Sequence, residues 1–235
     1  MKILFKKRLY FLMVFLVLLF LDIYVKLEVQ IPLLRVVTKV LVIGSLMLYY
    51  SINHKEREPK NSKYTSVALL FFMLGDITFV FDSMPLFFMI SILFFVVGKG
   101  FYCMRFKNYE IFEISKILPF LLLSFVFMIW FLFVIYPKLD YYFIPILIYL
   151  FVALLLFLFA FLRKQAVSKS SYLIVLFGVF SFGLSETLTA LKMFSSGFLF
   201  DDFLIMFCYG VAQYLIVLGL LSEDRAQRIP SIGLS

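Results

Sequence analysis

The sequence predicts an all-α fold: a polytopic transmembrane bundle of about eight helices with both termini in the cytoplasm. Hydrophobic residues make up 64% of the 235 residues and charged residues only 15%. In soluble domains, roughly 45–50% of the residues are hydrophobic and about 25% are charged. Phenylalanine alone occurs 33 times, and the apolar runs approach the ~20 residues that a spanning helix requires. We expect one membrane domain over residues 1–235.

Eight apolar segments account for the predicted helices. They cover residues 9–25, 36–52, 64–81, 85–104, 117–136, 142–162, 171–191 and 203–221. No small-residue cleavage site follows the first segment, which favours a retained helix over a removed signal peptide. Basic loops follow the second, fourth and sixth helices, and the third and seventh helices each contain one acid within an apolar run. Short loops leave no room for a soluble domain.

Lysine and arginine are distributed unequally between the two sets of loops. One side contains Lys2, Lys6, Lys7, Arg8, Lys55, Arg57, Lys60, Lys63, Arg105, Lys107, Lys116, Arg163, Lys164, Lys169, Arg225 and Arg228. The opposite loops contain Lys26, Lys138 and Lys192, with Arg35 at the start of the second helix. Positive loops favour the cytoplasm, so the odd-numbered helices are predicted to run outward, in a bacterial inner (cytoplasmic) membrane. The net charge of +8 therefore reflects topology, and we expect no nucleic-acid partner.

Cysteine and histidine are too few and too scattered to predict a metal or redox site. Cys103 and Cys208 lie in or beside apolar segments without a CxxC spacing, which is typical of small apolar packing residues. The single histidine, His54, lies in a charged loop. A histidine-cluster metal site is thereby excluded.

Asp76 and Glu186 are the two acids placed deep in predicted spans. A charge at such depth costs at least ~2.5–3.5 kcal/mol and usually faces the bundle interior. Both lie at similar estimated depth, so they are able to share one cavity, with one acid protonated and the other ionised, as acid–base hydrolysis requires. The alternative is that each acid is a structural hydrogen-bonding anchor between helices.

Lys99 and Lys39 are the cations placed within apolar helices. Gly98 and Gly100 flank Lys99 and permit close approach of a backbone or ligand, and Tyr102 lies three residues later on the same helix face. Lys99 has two interpretations: it binds a phosphate or carboxylate, or it snorkels to the cytoplasmic surface. Snorkelling is the favoured interpretation for Lys39.

The last two helices contribute further polar side chains. Tyr209 and Gln213 are four residues apart and share one helix face, where they either form interhelical hydrogen bonds or line a substrate site. Ser181 and Ser185 are also four apart; they either line a cavity or permit close packing. The chain has no GxSxG, Walker or HExxH motif.

The order of these motifs resembles the YhhN/lysoplasmalogenase family of eight-helix membrane proteins. The similarity covers most of residues 30–222, with short motifs that follow one another in the family's order. The positions that correspond to the family's motifs are Lys39-Val40 (Lys-Pro in the family), Gly75-Asp76, Gly98-Lys99, Tyr102, Ser185-Glu186, Lys192, Phe194, Tyr209 and Ala212 to Ile216. Two further positions depart from the family pattern: Glu186 stands where the family has aspartate, and Lys99 where it has histidine.

The resemblance implies hydrolysis of the vinyl ether bond of a lysoplasmalogen or a related lysolipid, without a cofactor. It assigns the catalytic carboxyls to Asp76 and Glu186. The predicted substrate-binding residues are Lys39, Lys99, Tyr102, Ser185, Tyr209 and Gln213. The competing hypotheses are a small transporter or lipid-binding protein, and a structural membrane subunit.

Overall fold

The all-α fold class is confirmed. The computed structural model describes residues 7–54, 59–107, 114–136, 139–195 and 197–223, and within these ranges the chain forms eight α-helices and no strand. They are α1 (Arg8–Tyr24), α2 (Pro32–Asn53), α3 (Pro59–Phe79), α4 (Pro85–Phe106), α5 (Ile114–Ile135), α6 (Phe143–Leu162), α7 (Lys169–Phe194) and α8 (Asp201–Leu221). Each corresponds to one predicted segment.

The helix ends differ from prediction where polar residues extend a helix beyond its apolar run. Helix α2 begins at Pro32 rather than at residue 36, because proline suits the first helical position, where no N–H donor is needed. A five-residue π-helical turn, Val25–Val29, continues α1, and Gln30 closes it in the left-handed conformation with φ 55°. Hydrophobic patterning does not predict this turn, because it indicates where an apolar run ends and not which hydrogen-bonding register the last turn adopts.

The helices form a polytopic membrane bundle. Six of them are long and apolar enough to cross a bilayer: α1 with its π turn, α2, α4, α6, α7 and α8. Helix α3 starts with a polar stretch that includes Lys60, Asn61 and Lys63, and the apolar part of α5 in the described residues is the shorter Leu122–Ile135. Both helices nevertheless pack against these six: α3 contacts α2 and α4, and α5 contacts α6 and α7.

Seven helices form a closed ring in the order α1, α2, α3, α4, α6, α7, α8, and α5 lies outside it against α6 and α7. The α7–α8 contact is the most extensive of these, because small residues at this contact allow close packing. A Cβ atom added at Gly219 would lie 3.0 Å from the backbone nitrogen of Val175. The Ser171 hydroxyl donates a 2.7 Å hydrogen bond to the carbonyl of Gly219.

Charged residues gather at the two ends of the bundle. At one end, Glu223 after α8 binds Arg105 of α4 at 2.6 Å and Arg163 after α6 at 3.3 Å. Lys26, Arg35 and Lys192 lie together at the other end, as alternating helix directions require. Lys2, Lys6, Lys55, Arg57, Lys138, Arg225 and Arg228 lie outside the described residues. The cytoplasmic orientation of the basic end stays a prediction.

Candidate functional site

The site is built around a cavity of about 650 Å³ between the helices, a volume typical of small-molecule sites. Its walls are mainly aromatic and aliphatic side chains of α4, α5, α6 and α7. The cavity reaches the charged end of the bundle at Lys26 and Arg35. It also reaches the outer surface beside α5, where the exposed side chains of Leu123, Phe180 and Leu184 line it.

Asp76 and Glu186 both line this cavity. At 1.5 Å per residue, Asp76 lies about 25 Å from the start of α3 at Pro59, and Glu186 lies about 25 Å from the start of α7 at Lys169. Both helices are odd-numbered and run in the same direction, so the two acids reach similar depth. The two acids have separate sets of partners. The lysine near Asp76 is paired with a third acid, whereas the lysine near Glu186 is paired with Glu186 itself.

The first set connects Asp76 to α8, α2 and α1. Asp76 is 5% exposed and accepts a 2.9 Å hydrogen bond from the Tyr209 hydroxyl. Lys39 interacts electrostatically with Asp76 and lies over the Tyr209 ring, 5.6 Å from its centroid. Its Nζ pairs at 3.1 Å with the buried carboxylate of Asp22, to which Thr38 donates a 2.6 Å hydrogen bond.

Lys39 therefore makes an intramembrane ion pair, and the snorkelling interpretation is wrong for it. Asp22 was not predicted as a site residue, although the same signal was available, because it is an acid within the apolar run of α1. Counting charges, Lys39 balances one of the two nearby acids, Asp22 and Asp76. Its ion pair is with Asp22, whereas the direct contact of Asp76 is with the Tyr209 hydroxyl, so Asp76 is the acid that Lys39 does not pair with directly.

The second set surrounds Glu186. Its Oε1 accepts a 2.5 Å hydrogen bond from the Tyr149 hydroxyl and pairs at 2.6 Å with the Nζ of Lys99. The Lys99 side chain is 0% exposed, and its ammonium lies 3.3 Å from the centroid of the Tyr149 ring. A neutral Glu186 would leave the Lys99 charge buried without a counter-ion, at a cost of several kcal/mol. The contact with Glu186 compensates this burial.

The snorkelling interpretation is also wrong for Lys99, because its fully buried side chain pairs with the Glu186 carboxylate within the chain. The Cα–Cβ bonds of a helix tilt toward its N-terminus, so the Lys99 side chain extends toward the Pro85 end of α4, away from the predicted cytoplasmic surface. Glu186 lies on α7, which runs the opposite way, and the two side chains extend toward each other. The neighbouring Gly98 allows α4 to pack closely against α3, since a Cβ atom at this position would lie 3.3 Å from the carbonyl oxygen of Ala68.

The remaining predicted residues divide between the cavity wall and the layer behind it. Ser185 lines the cavity, and its hydroxyl donates to the carbonyl of Ile205 at 2.8 Å. Tyr102 and Gln213 are fully buried, and the Tyr102 hydroxyl donates to the Gln213 amide oxygen at 3.0 Å. In the described part of the chain, Lys99, Tyr102 and Gln213 are not among the lining residues. Their roles as substrate contacts stay predictions.

Tyr149 is a further residue that the motifs did not single out. It is a polar side chain in an otherwise apolar helix, α6, and this isolation was the available signal. With Tyr149 and Asp22 included, the site comprises the Asp76 and Glu186 carboxyls, which line one cavity and are each hydrogen-bonded to a tyrosine, and two lysines, which pair with Asp22 and Glu186.

Comparison with known proteins identifies the family of the chain. A family model described as the YhhN family matches residues 34–220, a range that contains Lys39, Asp76, Lys99, Glu186 and Gln213. No curated protein and no solved structure matches the chain significantly.

Proposed function

The chain belongs to the YhhN family, and on this premise we propose that it is an intramembrane hydrolase that cleaves the vinyl ether bond of a lysoplasmalogen or a related single-chain ether lipid. One observation carries the proposal: two carboxyls line one mainly apolar cavity, and Glu186 is paired directly with Lys99 whereas Asp76 is held by the Tyr209 hydroxyl. From these partners we infer an ionised Glu186 and a protonated Asp76. Acid–base hydrolysis needs this difference between its two groups.

The charge states assign a role to each carboxyl. Protonated Asp76 transfers its proton to the β-carbon of the vinyl ether, which becomes an oxocarbenium ion. The carboxylate of Glu186, held in place by Lys99 and Tyr149, stabilises this cation. Water adds to the cation and returns a proton to Asp76, giving a hemiacetal. The hemiacetal then separates into a fatty aldehyde and an alcohol, with its hydroxyl proton transferred to the leaving oxygen.

The shape of the cavity supports an amphiphilic substrate. One boundary is charged, at Lys26, Arg35 and Lys192, and the rest is largely apolar. The opening beside Leu123 and Phe180 lies at the bundle surface, which a lipid would reach from the bilayer. A soluble polar substrate would gain little from these walls.

The direct test is to incubate the purified full chain with a lysoplasmalogen and to measure aldehyde release by mass spectrometry. We expect release by the wild type and a loss of at least about 10²-fold in Asp76→Asn, because a positioned acid contributes ~10²–10⁴-fold. The matched control is Glu28→Gln, which neutralises an exposed acid in the π turn and should leave the rate unchanged. A wild type that releases no aldehyde would contradict the proposal.

A second candidate function is lipid binding or transport without chemistry. It is favoured by the double engagement of Glu186, whose carboxylate is paired with Lys99 and hydrogen-bonded to Tyr149. The same incubation distinguishes the two candidates, since a binding protein would retain the lipid and release no aldehyde.

A further inference from the structure

A second, smaller pocket of about 290 Å³ adjoins the main cavity at the charged end of the bundle. It is lined by Lys26, Leu27, Gln30, Arg35 and Asp202, so four of its five lining residues are polar. Lys26, Arg35 and Asp202 also line the main cavity. A polar pocket and an apolar cavity therefore share one wall, as an amphiphile with one chain would require.

The charges of this pocket are not balanced. Asp202 is engaged by Lys192 at 2.6 Å and by Lys26 at 3.5 Å, and Asp201 is bound to Lys192 at 3.0 Å. No hydrogen bond or ion pair engages the Arg35 guanidinium within the described part of the chain, and its Nε is buried without a partner. A buried Nε donor without an acceptor is costly, and an incoming anion would remove this cost.

The local backbone positions the pocket. The π-helical turn Val25–Val29 carries Lys26 and Leu27, and left-handed Gln30 ends it; single π turns occur frequently at functional sites. The Gln30 side-chain amide is engaged with the carbonyl of Leu27 at 3.3 Å, which leaves Arg35 and Lys26 as the groups for an anion.

We propose that this pocket binds the phosphate of a single-chain lipid whose alkyl chain occupies the main cavity. The planar guanidinium of Arg35 presents paired donors that match two phosphate oxygens. Lys26 lies across the pocket as a second cation, and a phosphate would compete with Asp202 for it. This inference rests on the proposed hydrolase function and adds to it the site that would bind the charged group of the substrate.

The register of α2 connects the pocket to the reacting groups. Arg35 and Lys39 are four residues apart on one face of α2, about 6 Å along its axis. Lys39 in turn interacts electrostatically with Asp76. In a lysophospholipid, a three-carbon glycerol separates the phosphate from the first atoms of the alkyl chain. A phosphate bound at Arg35 would thus place those first atoms at the depth of Asp76.

The experiment measures binding, with lipids that carry an ordinary acyl chain and therefore give no vinyl ether turnover. The purified full chain in a phosphate-free, uncharged detergent is titrated with palmitoyl lysophosphatidylcholine, monopalmitoylglycerol and palmitate, and bound lipid is measured by native mass spectrometry. We expect the lysophospholipid to bind most tightly. Arg35→Gln should weaken its binding by about tenfold or more, since hydrogen bonds to charged groups are worth ~1.5–3 kcal/mol, and should change monopalmitoylglycerol binding less than about twofold.

Two matched variants accompany Arg35→Gln. Arg35→Lys retains the charge without the planar fork and should give an intermediate loss. Lys169→Gln removes an exposed cation at the opposite end of the bundle and should bind all three lipids as the wild type does. Retained binding of monopalmitoylglycerol shows that each variant is folded.

The outcomes also separate the two sources of phosphate. Displacement of the lysophospholipid by millimolar inorganic phosphate would assign recognition to the phosphate itself. If inorganic phosphate does not displace the lysophospholipid but Arg35→Gln still weakens its binding, the phosphate is recognised only as part of a head group that the bound alkyl chain holds in place. Equal binding of the three lipids, tighter binding of palmitate, or no effect of Arg35→Gln would overturn the proposal. A lysophospholipid that binds through Arg35 while lysoplasmalogen stays intact would overturn only the hydrolase function.

Discussion

Lys99 and Glu186 stand where the family resemblance implies histidine and aspartate, and they contact each other at 2.6 Å. The sequence predicts each of them as a site residue, but it does not predict the contact. That contact depends on the opposite directions of α4 and α7 and on the tilt of side chains toward the helix N-terminus. The two departures therefore form one buried pair.

This pairing predicts a strong coupling between the two residues. Lys99→Met or Glu186→Gln alone should lower the free energy of unfolding by about 3–5 kcal/mol, because each leaves a buried group without its partner. The double variant should cost less than the sum, with a coupling of about 1–3 kcal/mol. Thermal or denaturant unfolding in detergent measures all four proteins.

The control cycle combines Glu186→Gln with Lys192→Met. Lys192 pairs with Asp201 and Asp202 rather than with Glu186, so these two effects should add. Additive effects in the Lys99–Glu186 cycle would mean that the two residues do not interact.

Asp22 acts on the site through Lys39. Asp22→Asn should release Lys39 to pair with Asp76 and hold it ionised, so that Asp76 no longer donates a proton. We expect kcat for aldehyde release to fall about 10²-fold with KM unchanged, because Asp22 is not among the described residues that line the cavity. Steady-state kinetics measures both constants. A change confined to KM, or a loss of activity that parallels a loss of thermal stability, would contradict this positioning role.

Among the helices, α7 and α8 have the least tolerance for added volume. The carbonyl of Ser171 and the backbone nitrogen of Val175 face Gly219, and backbone atoms do not move aside as a flexible side chain does. Sequence patterning predicts both helices but not their mutual register, because small residues occur on several faces of an apolar helix.

Gly219→Ala should therefore destabilise the protein by about 1–3 kcal/mol, as measured by the unfolding midpoint in detergent. Gly100→Ala is the matched control, since a Cβ atom there meets nothing within 4 Å. The control should be neutral or stabilising by about 0.5–1 kcal/mol, because glycine loses more backbone conformational entropy than alanine when it enters a helix. Equal effects of the two substitutions would show that the α7–α8 contact is not close.

At the scale of the whole molecule, the sequence predicts the number of helices and their alternating directions. Apolar length and loop charge are properties that each segment has by itself. The peripheral position of α5 and the cavity beside it are not predictable in this way, because they depend on which apolar faces pack together. Nearly every side chain of α5 is apolar, and its composition does not show which face contacts α6.

The loop charges predict that the Lys169 end of the bundle is cytoplasmic and that the Met84 end is outside. In a background with Cys103 and Cys208 replaced by alanine, single cysteines at Met84 and Lys169, both exposed positions, report the orientation. A membrane-impermeant thiol reagent added to intact cells should label the cysteine at position 84 and not the one at position 169. The reverse pattern would invert the bundle.

The opening of the cavity beside α5 has a kinetic consequence if lipids enter there. A substrate that arrives sideways is dissolved in the bilayer, so its effective concentration is a mole fraction in two dimensions rather than a molarity. Diluting the substrate with inert lipid at constant bulk concentration would then slow the reaction, whereas diluting the whole vesicle suspension would not. The turnover rate of such a protein depends on the lipid composition of its membrane. The protein therefore responds to the local abundance of its substrate without a separate sensor.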